Sequence, residues 1–173
     1  MNGMFHQWLW SLRLYVRISL FMASPAELPY SPASIVLTLV AYFATAALLL
    51  GDDYSAGHIV SLIVVEAMIL YLVSLLVLKA RGHLERLVQT LSALFGSGLV
   101  ISLIGIPVLL ATSDSGADGV ATAQYLNLAL LLWSLAVISL IFKRAFEIST
   151  IAAGFLAFNY FLLYELIIVN FLA

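Results

Sequence analysis

Two ionisable side chains, Glu66 and Glu165, stand inside long apolar runs, and carboxylates placed there have the greatest capacity for chemistry in this chain. Glu66 lies seven residues after Ile59, and Glu165 lies seven before Leu172. At the helical rise per residue, these offsets put both about 10 Å below one shared edge of the apolar layer. Asn127, six residues past Ala121, reaches nearly the same depth, and Tyr164 adjoins Glu165. Convergence of Glu66, Glu165, Asn127 and Tyr164 predicts an intramembrane polar cluster. Its sharpest chemistry is proton or cation binding, with the two carboxylates sharing one proton because both ionise only at great cost in a low dielectric. The plainer reading is a hydrogen-bonded cluster that pins helix register. No Lys or Arg lies within an apolar run to pair with either carboxylate, and Gln89 and Asn159 are the sparse polar candidates deeper in.

Other chemistry is poorly supplied. The chain has no cysteine, which removes thiolate metal ligands, cysteine nucleophiles and disulfides together. His6, His58 and His83 fall in three separate places, none within an apolar run, so neither a shared metal site nor a bis-histidine haem is expected. No G-x-S-x-G motif and no phosphate-binding glycine loop is present. The expectation is a non-enzymatic protein without metal or cofactor. Seven Lys plus Arg against nine Asp plus Glu give a net charge of −2, with no broad basic surface for nucleic acid.

The elements that must position these residues follow from composition. Of 173 residues, 64% are hydrophobic and 9% charged, with a mean hydropathy of +1.14. A soluble domain is about 45–50% apolar and about 25% charged, so this is an integral membrane protein. Five apolar runs, at 33–50, 59–78, 87–110, 121–142 and 151–172, each approach the 20 or so helical residues that cross a bilayer core. They are continuous rather than alternating, which argues for helices and against a barrel. The expected fold is an all-α bundle of five transmembrane helices over 31–173, preceded by an N-terminal amphipathic interfacial helix and connector over 1–30. Ser31 is a candidate N-cap with Pro32 at the first helical position, and Pro107 predicts a kink in the third span.

Basic residues order the spans. Arg13 and Arg17 precede the first, Lys79, Arg81 and Arg86 separate the second from the third, and Lys143 and Arg144 separate the fourth from the fifth. The alternate loops carry Asp52 and Asp53, then Asp114 and Asp118, without Lys or Arg. The positive-inside rule predicts a multi-pass protein of the cytoplasmic membrane, with its N-terminus in the cytoplasm and its C-terminus outside. In a helix from Met4 to Met22, His6, Trp10, Arg13 and Arg17 share one face, and Leu9, Leu12, Val16, Leu20 and Phe21 occupy the rest. This pattern suits a helix at the headgroup level rather than a cleaved signal peptide. The segment 24–32, with prolines at 25, 29 and 32, reads as a short stiff connector.

The third span carries Ser92, Gly96, Gly98, Ser102 and Gly105, small residues at spacings that let neighbouring backbones approach closely. It is expected to be the central packing helix, with homo-oligomerisation as the alternative use. The seven basic residues are expected to face anionic lipid headgroups or a partner.

Taken together, the run Leu87-Val88-Gln89-Thr90-Leu91-Ser92-Ala93-Leu94-Phe95-Gly96 leading to Ile106-Pro107, and the run Leu132-Trp133-Ser134-Leu135-Ala136-Val137 leading to Lys143-Arg144-Ala145-Phe146-Glu147-Ile148-Ser149, resemble the Yip family over roughly residues 30–173. These are five-span membrane proteins known in eukaryotes for interacting with Rab-type GTPases, with small bacterial relatives. No Asp-Leu-Tyr-Gly-Pro segment is found, and GTPase binding is not carried over. The resemblance implies a membrane scaffold or accessory component, with other membrane proteins or further copies of the chain as partners. The alternatives are a proton- or cation-coupled carrier centred on Glu66 and Glu165, and a small subunit of a larger membrane complex.

Overall fold

The computed structural model describes residues 2–50, 55–113 and 116–167, with side chains over 7–48, 55–107 and 122–167. Asp52, Asp53, Asp114 and residues 168–172 of the expected fifth span lie outside the described residues, as do the side chains of His6 and Asp118. The described residues form six α-helices and no strand: α1 (Asn2–Ser19), α2 (Pro32–Leu50), α3 (Ala56–Arg81), α4 (Leu87–Ser113), α5 (Gly116–Phe146) and α6 (Thr150–Ile167). Short 3₁₀ turns at Pro25–Glu27 and Leu84–Arg86 punctuate the connections.

Serine hydroxyls start these helices by accepting from amides that have no carbonyl partner in the first turn. The Ser34 amide donates to Ser31 Oγ at 3.3 Å, with Pro32 as the first residue of α2. Ser55 and Ser149 serve α3 and α6 in the same way. The far ends of α1, α3 and α5 close on left-handed residues, Phe21 at φ 65°, Gly82 at φ 74° and Glu147 at φ 54°. After Gly82, the His83 amide reaches back to the Leu78 carbonyl at 2.9 Å. A residue with a Cβ costs roughly 1–2 kcal/mol in that conformation, so Phe21 and Glu147 are held there by the contacts around them.

Four helices are long and apolar enough to cross a membrane, over Ala56–Arg81, Leu84–Pro107, Thr122–Phe146 and Thr150–Ile167, and Pro32–Leu48 forms a shorter apolar helix. Several apolar helices in one bundle make this a membrane-embedded architecture. At its centre, α4 packs against α1, α2, α3 and α5, while α6 lies on α5 and α3. Every residue of α4 from Thr90 to Ser97 is buried, so at that level the helix is enclosed on all sides.

The N-terminal helix is more deeply engaged than its sequence suggests. Ser11, Leu14, Tyr15, Ile18 and Ser19 are buried against the bundle, whereas Leu9, Trp10, Arg13, Val16, Arg17, Leu20 and Phe21 are exposed. Apolar and basic residues thus share the outward face, and the inward face carries three hydroxyls beside Leu14 and Ile18. Lipid accepts apolar side chains as readily as the protein interior does, so small and hydrogen-bonding residues claim the helix contacts. The Ser11 and Ser19 hydroxyls turn back to the carbonyls of Gln7 and Tyr15, and Tyr15 crosses to α2 and α4.

Candidate functional site

Glu66 projects inward from α3 because its phase matches the buried residues Ile59, Leu62, Ile63, Ile69 and Leu70 at helical spacing. Tyr42 of α2 donates its hydroxyl to Glu66 Oε1 at 2.8 Å. Tyr160 of α6 donates to the same oxygen at 3.4 Å. Three helices therefore meet on one carboxylate oxygen. Tyr42 sits against α4 at Gly98, where a Cβ would come within 2.9 Å of its ring, and its ring also leans on Phe95 at 5.9 Å between centroids. Beside the carboxylate lies a cavity of about 50 Å³, walled by Tyr42, Glu66, Tyr160, the hydroxyl-bearing Ser97 and Ser134, and apolar Leu70, Leu94 and Ile138. That volume exceeds what one water-sized ligand requires.

The expected companions of Glu66 are distributed differently. Tyr164 follows Tyr160 by one turn and packs against the buried core. Glu165 is exposed on α6, and Asn127 is exposed within a stretch, 124–129, that is exposed throughout. The expected pairing of Glu66 with Glu165 and Asn127 is thus replaced by a carboxylate held between two tyrosines. The reason on α6 is phase: Ala153, Ala157 and Tyr160 are buried and Tyr164 continues their stripe, whereas Glu165 is rotated about 100° from Tyr164. On α5, residues 124–129 around Asn127 are exposed, so its amide lies outside the cluster at Glu66. Tyr42 and Tyr160 were overlooked because tyrosines in apolar runs read as ordinary core or interface residues, although the i, i+4 pair Tyr160 and Tyr164 marked one polar-tipped face.

The small residues of α4 receive specific neighbours. Gly96 faces the Tyr15 ring so closely that a Cβ there would overlap it, and Ser92 Oγ lies 2.7 Å from the Tyr15 hydroxyl. Gly98 seats Tyr42, Ser102 is half-buried, and a Cβ on Gly105 would make an ordinary 3.8 Å contact with Leu130.

The basic residues divide. Arg13, Arg17, Lys79 and Lys143 are exposed; Arg81 and Arg144 are exposed too but, like the half-buried Arg86, also bond to the protein itself. Arg81 donates through Nε to the Phe146 carbonyl at 3.2 Å and through Nη2 to the Glu147 carbonyl at 3.0 Å. Cations there satisfy the acceptors left at the C-terminus of α5. Arg86 Nη1 meets Glu147 Oε1 at 2.6 Å, and His83 Nε2 lies 3.6 Å from Glu147 Oε2. The Arg86 hydrogen bond and charge, with His83 beside it, hold the Glu147 carboxyl below its ordinary value. Arg144 donates to the Ala23 carbonyl, Gln89 to the Leu28 carbonyl at 2.8 Å, and the Trp133 indole to the Ser19 carbonyl at 2.9 Å. These bonds lash the last residue of α1 and the connector after it to α4 and α5. No group of three or more His, Cys, Asp or Glu that could hold a metal ion occurs among the described residues.

Comparison of the chain with family models, with curated proteins and with solved structures finds no match.

Proposed function

We propose that this chain is a non-enzymatic five-span protein of the cytoplasmic membrane, of the Yip-like kind its third and fourth spans resemble, acting as a scaffold or accessory component. Its N-terminus is cytoplasmic and its C-terminus exterior, with α2 as the first span. The observation that carries this reading is the outward face of α1. That helix is anchored by Tyr15, by the Trp133 bond to its last residue Ser19 and by the Arg144 bond to the connector, and it holds Trp10, Arg13 and Arg17 exposed on a fixed platform. A rigid face of one aromatic and two guanidinium groups at the headgroup level suits anionic lipid together with another membrane protein or a second copy of the chain. The carrier alternative loses its paired carboxylates, because Glu165 is exposed away from Glu66.

The absence of native cysteine makes single-cysteine mapping clean. Cysteines placed at Met4 and Ala173 should label from opposite sides of intact membrane vesicles. Labelling of both from one side overturns the topology. A photo-crosslinker at position 10 should trap a discrete protein neighbour in intact membranes, and recovery of lipid adducts alone overturns the scaffold role.

A further inference from the structure

The Glu66 cavity carries an assignment that does not depend on the scaffold reading. Its wall includes one carboxylate residue and four hydroxyl-bearing residues, Tyr42, Tyr160, Ser97 and Ser134. The hydrogens of three of the four are already committed. Both tyrosines donate to Glu66 Oε1, and Ser97 donates to the Leu94 carbonyl at 3.1 Å. What these groups still present is lone pairs. A wall of oxygen acceptors suits a cation and repels an anion, and no Lys or Arg lines the cavity to neutralise the carboxylate internally.

Charge and size narrow the ligand further. With a single carboxylate the formal charge to balance is one, whereas divalent sites gather more anionic ligands or retain several waters. A volume of about 50 Å³ admits an alkali ion with at most a little water and falls far below the few hundred Å³ of a typical organic-ligand pocket. We propose that Glu66, Tyr42, Tyr160, Ser97 and Ser134 form a site for a monovalent alkali cation. Oε2 of Glu66 and the four hydroxyl oxygens are its ligands, Oε1 is held by the two phenols, and the cation ties α2, α3, α4, α5 and α6 into one arrangement.

The test uses the full chain in lipid nanodiscs, with radiolabelled sodium and rubidium as probes and choline chloride holding ionic strength constant. Wild type should bind one of the two ions saturably at one site per chain, and the melting temperature should rise with that ion and not with choline. Glu66→Gln should weaken binding about 100-fold or more, the size expected for loss of a buried charge partner. Ser134→Ala removes one wall oxygen without touching the carboxylate and should weaken binding about 10-fold at most while keeping the wild-type helix content. Saturable binding that survives unchanged in Glu66→Gln overturns the assignment, as does the lack of saturable binding of both ions by wild type. A carboxylic-acid infrared band that is lost in Glu66→Gln and insensitive to either ion in wild type also overturns it, since the occupant is then a proton alone.

Discussion

The ring of Tyr15 in α1 occupies the space that a side chain on Gly96 in α4 would need. This one contact converts a helix with an interfacial composition into part of the bundle. The Tyr15 side chain is fully buried, and its hydroxyl lies 3.1 Å from Thr38 Oγ1 and 2.7 Å from Ser92 Oγ. Thr38 already donates to the Ser34 carbonyl, so Tyr15 donates to Thr38 and accepts from Ser92.

Gly96→Ala should therefore loosen α1 from the bundle. Overpacking against a buried ring costs about 1–3 kcal/mol, and more where the ring has no room to retreat. Thermal unfolding in detergent should show a lowered midpoint, and a cysteine at position 14, buried in the wild type, should become reactive. A variant with wild-type stability and an unreactive position 14 would show that the ring and the helix separate without cost.

Tyr15→Phe keeps the ring and removes the hydroxyl. Thr38 then loses a donor and Ser92 an acceptor in a buried place, a loss of about 1–3 kcal/mol. Combining Tyr15→Phe with Thr38→Val and Ser92→Ala should recover part of that loss, because the stranded groups go as well. Strict additivity in the melting data would mean that the three hydroxyls act independently.

The two intramembrane glutamates should behave oppositely. Glu66→Leu strands the Tyr42 and Tyr160 hydroxyls and should destabilise by about 1–3 kcal/mol. Glu165 is exposed on α6, so Glu165→Leu should leave the melting temperature unchanged within about 0.5 kcal/mol or raise it. Equal losses from both substitutions would restore the paired-carboxylate arrangement that counting along the chain suggests.

The link between Arg86 and Glu147 should be lost in acid. Because Arg86 and His83 hold the folded-state Glu147 carboxyl below its ordinary value, its contribution is fully present above that ordinary value, about pH 4.3. It fades as pH falls through the lower folded value. The melting-temperature difference between wild type and Glu147→Gln should hold steady near neutral pH and close as the pH drops below about 4. A difference that widens on acidification reverses the sign and removes the ion pair as its cause.

Much of the architecture is legible in the sequence. Continuous apolar runs specify helices because backbone groups in lipid must pair within the segment, and the start of α2 at Ser31 and Pro32 is local chemistry that two adjacent residues encode. The spacing of small residues in the third span reported that something approaches closely there.

What approaches is a tertiary matter. Gly96 makes room without naming its occupant, and only the packed bundle assigns that space to Tyr15 rather than to a helix backbone or a second copy. Likewise, counting residues gives Glu66 and Glu165 one expected depth, yet Glu66 meets α6 at Tyr160, five residues before Glu165, and counting says nothing about rotation around each helix. In an apolar sequence every face is hydrophobic enough to be buried, so the amphipathic signal that orients a helix in water is missing. Composition and the continuity of the apolar runs by themselves determined a membrane-embedded helical chain. The rotation that turns Glu66 toward Tyr42 and Tyr160, and Glu165 away, was decided only when side-chain volumes and hydroxyl partners locked the helices together.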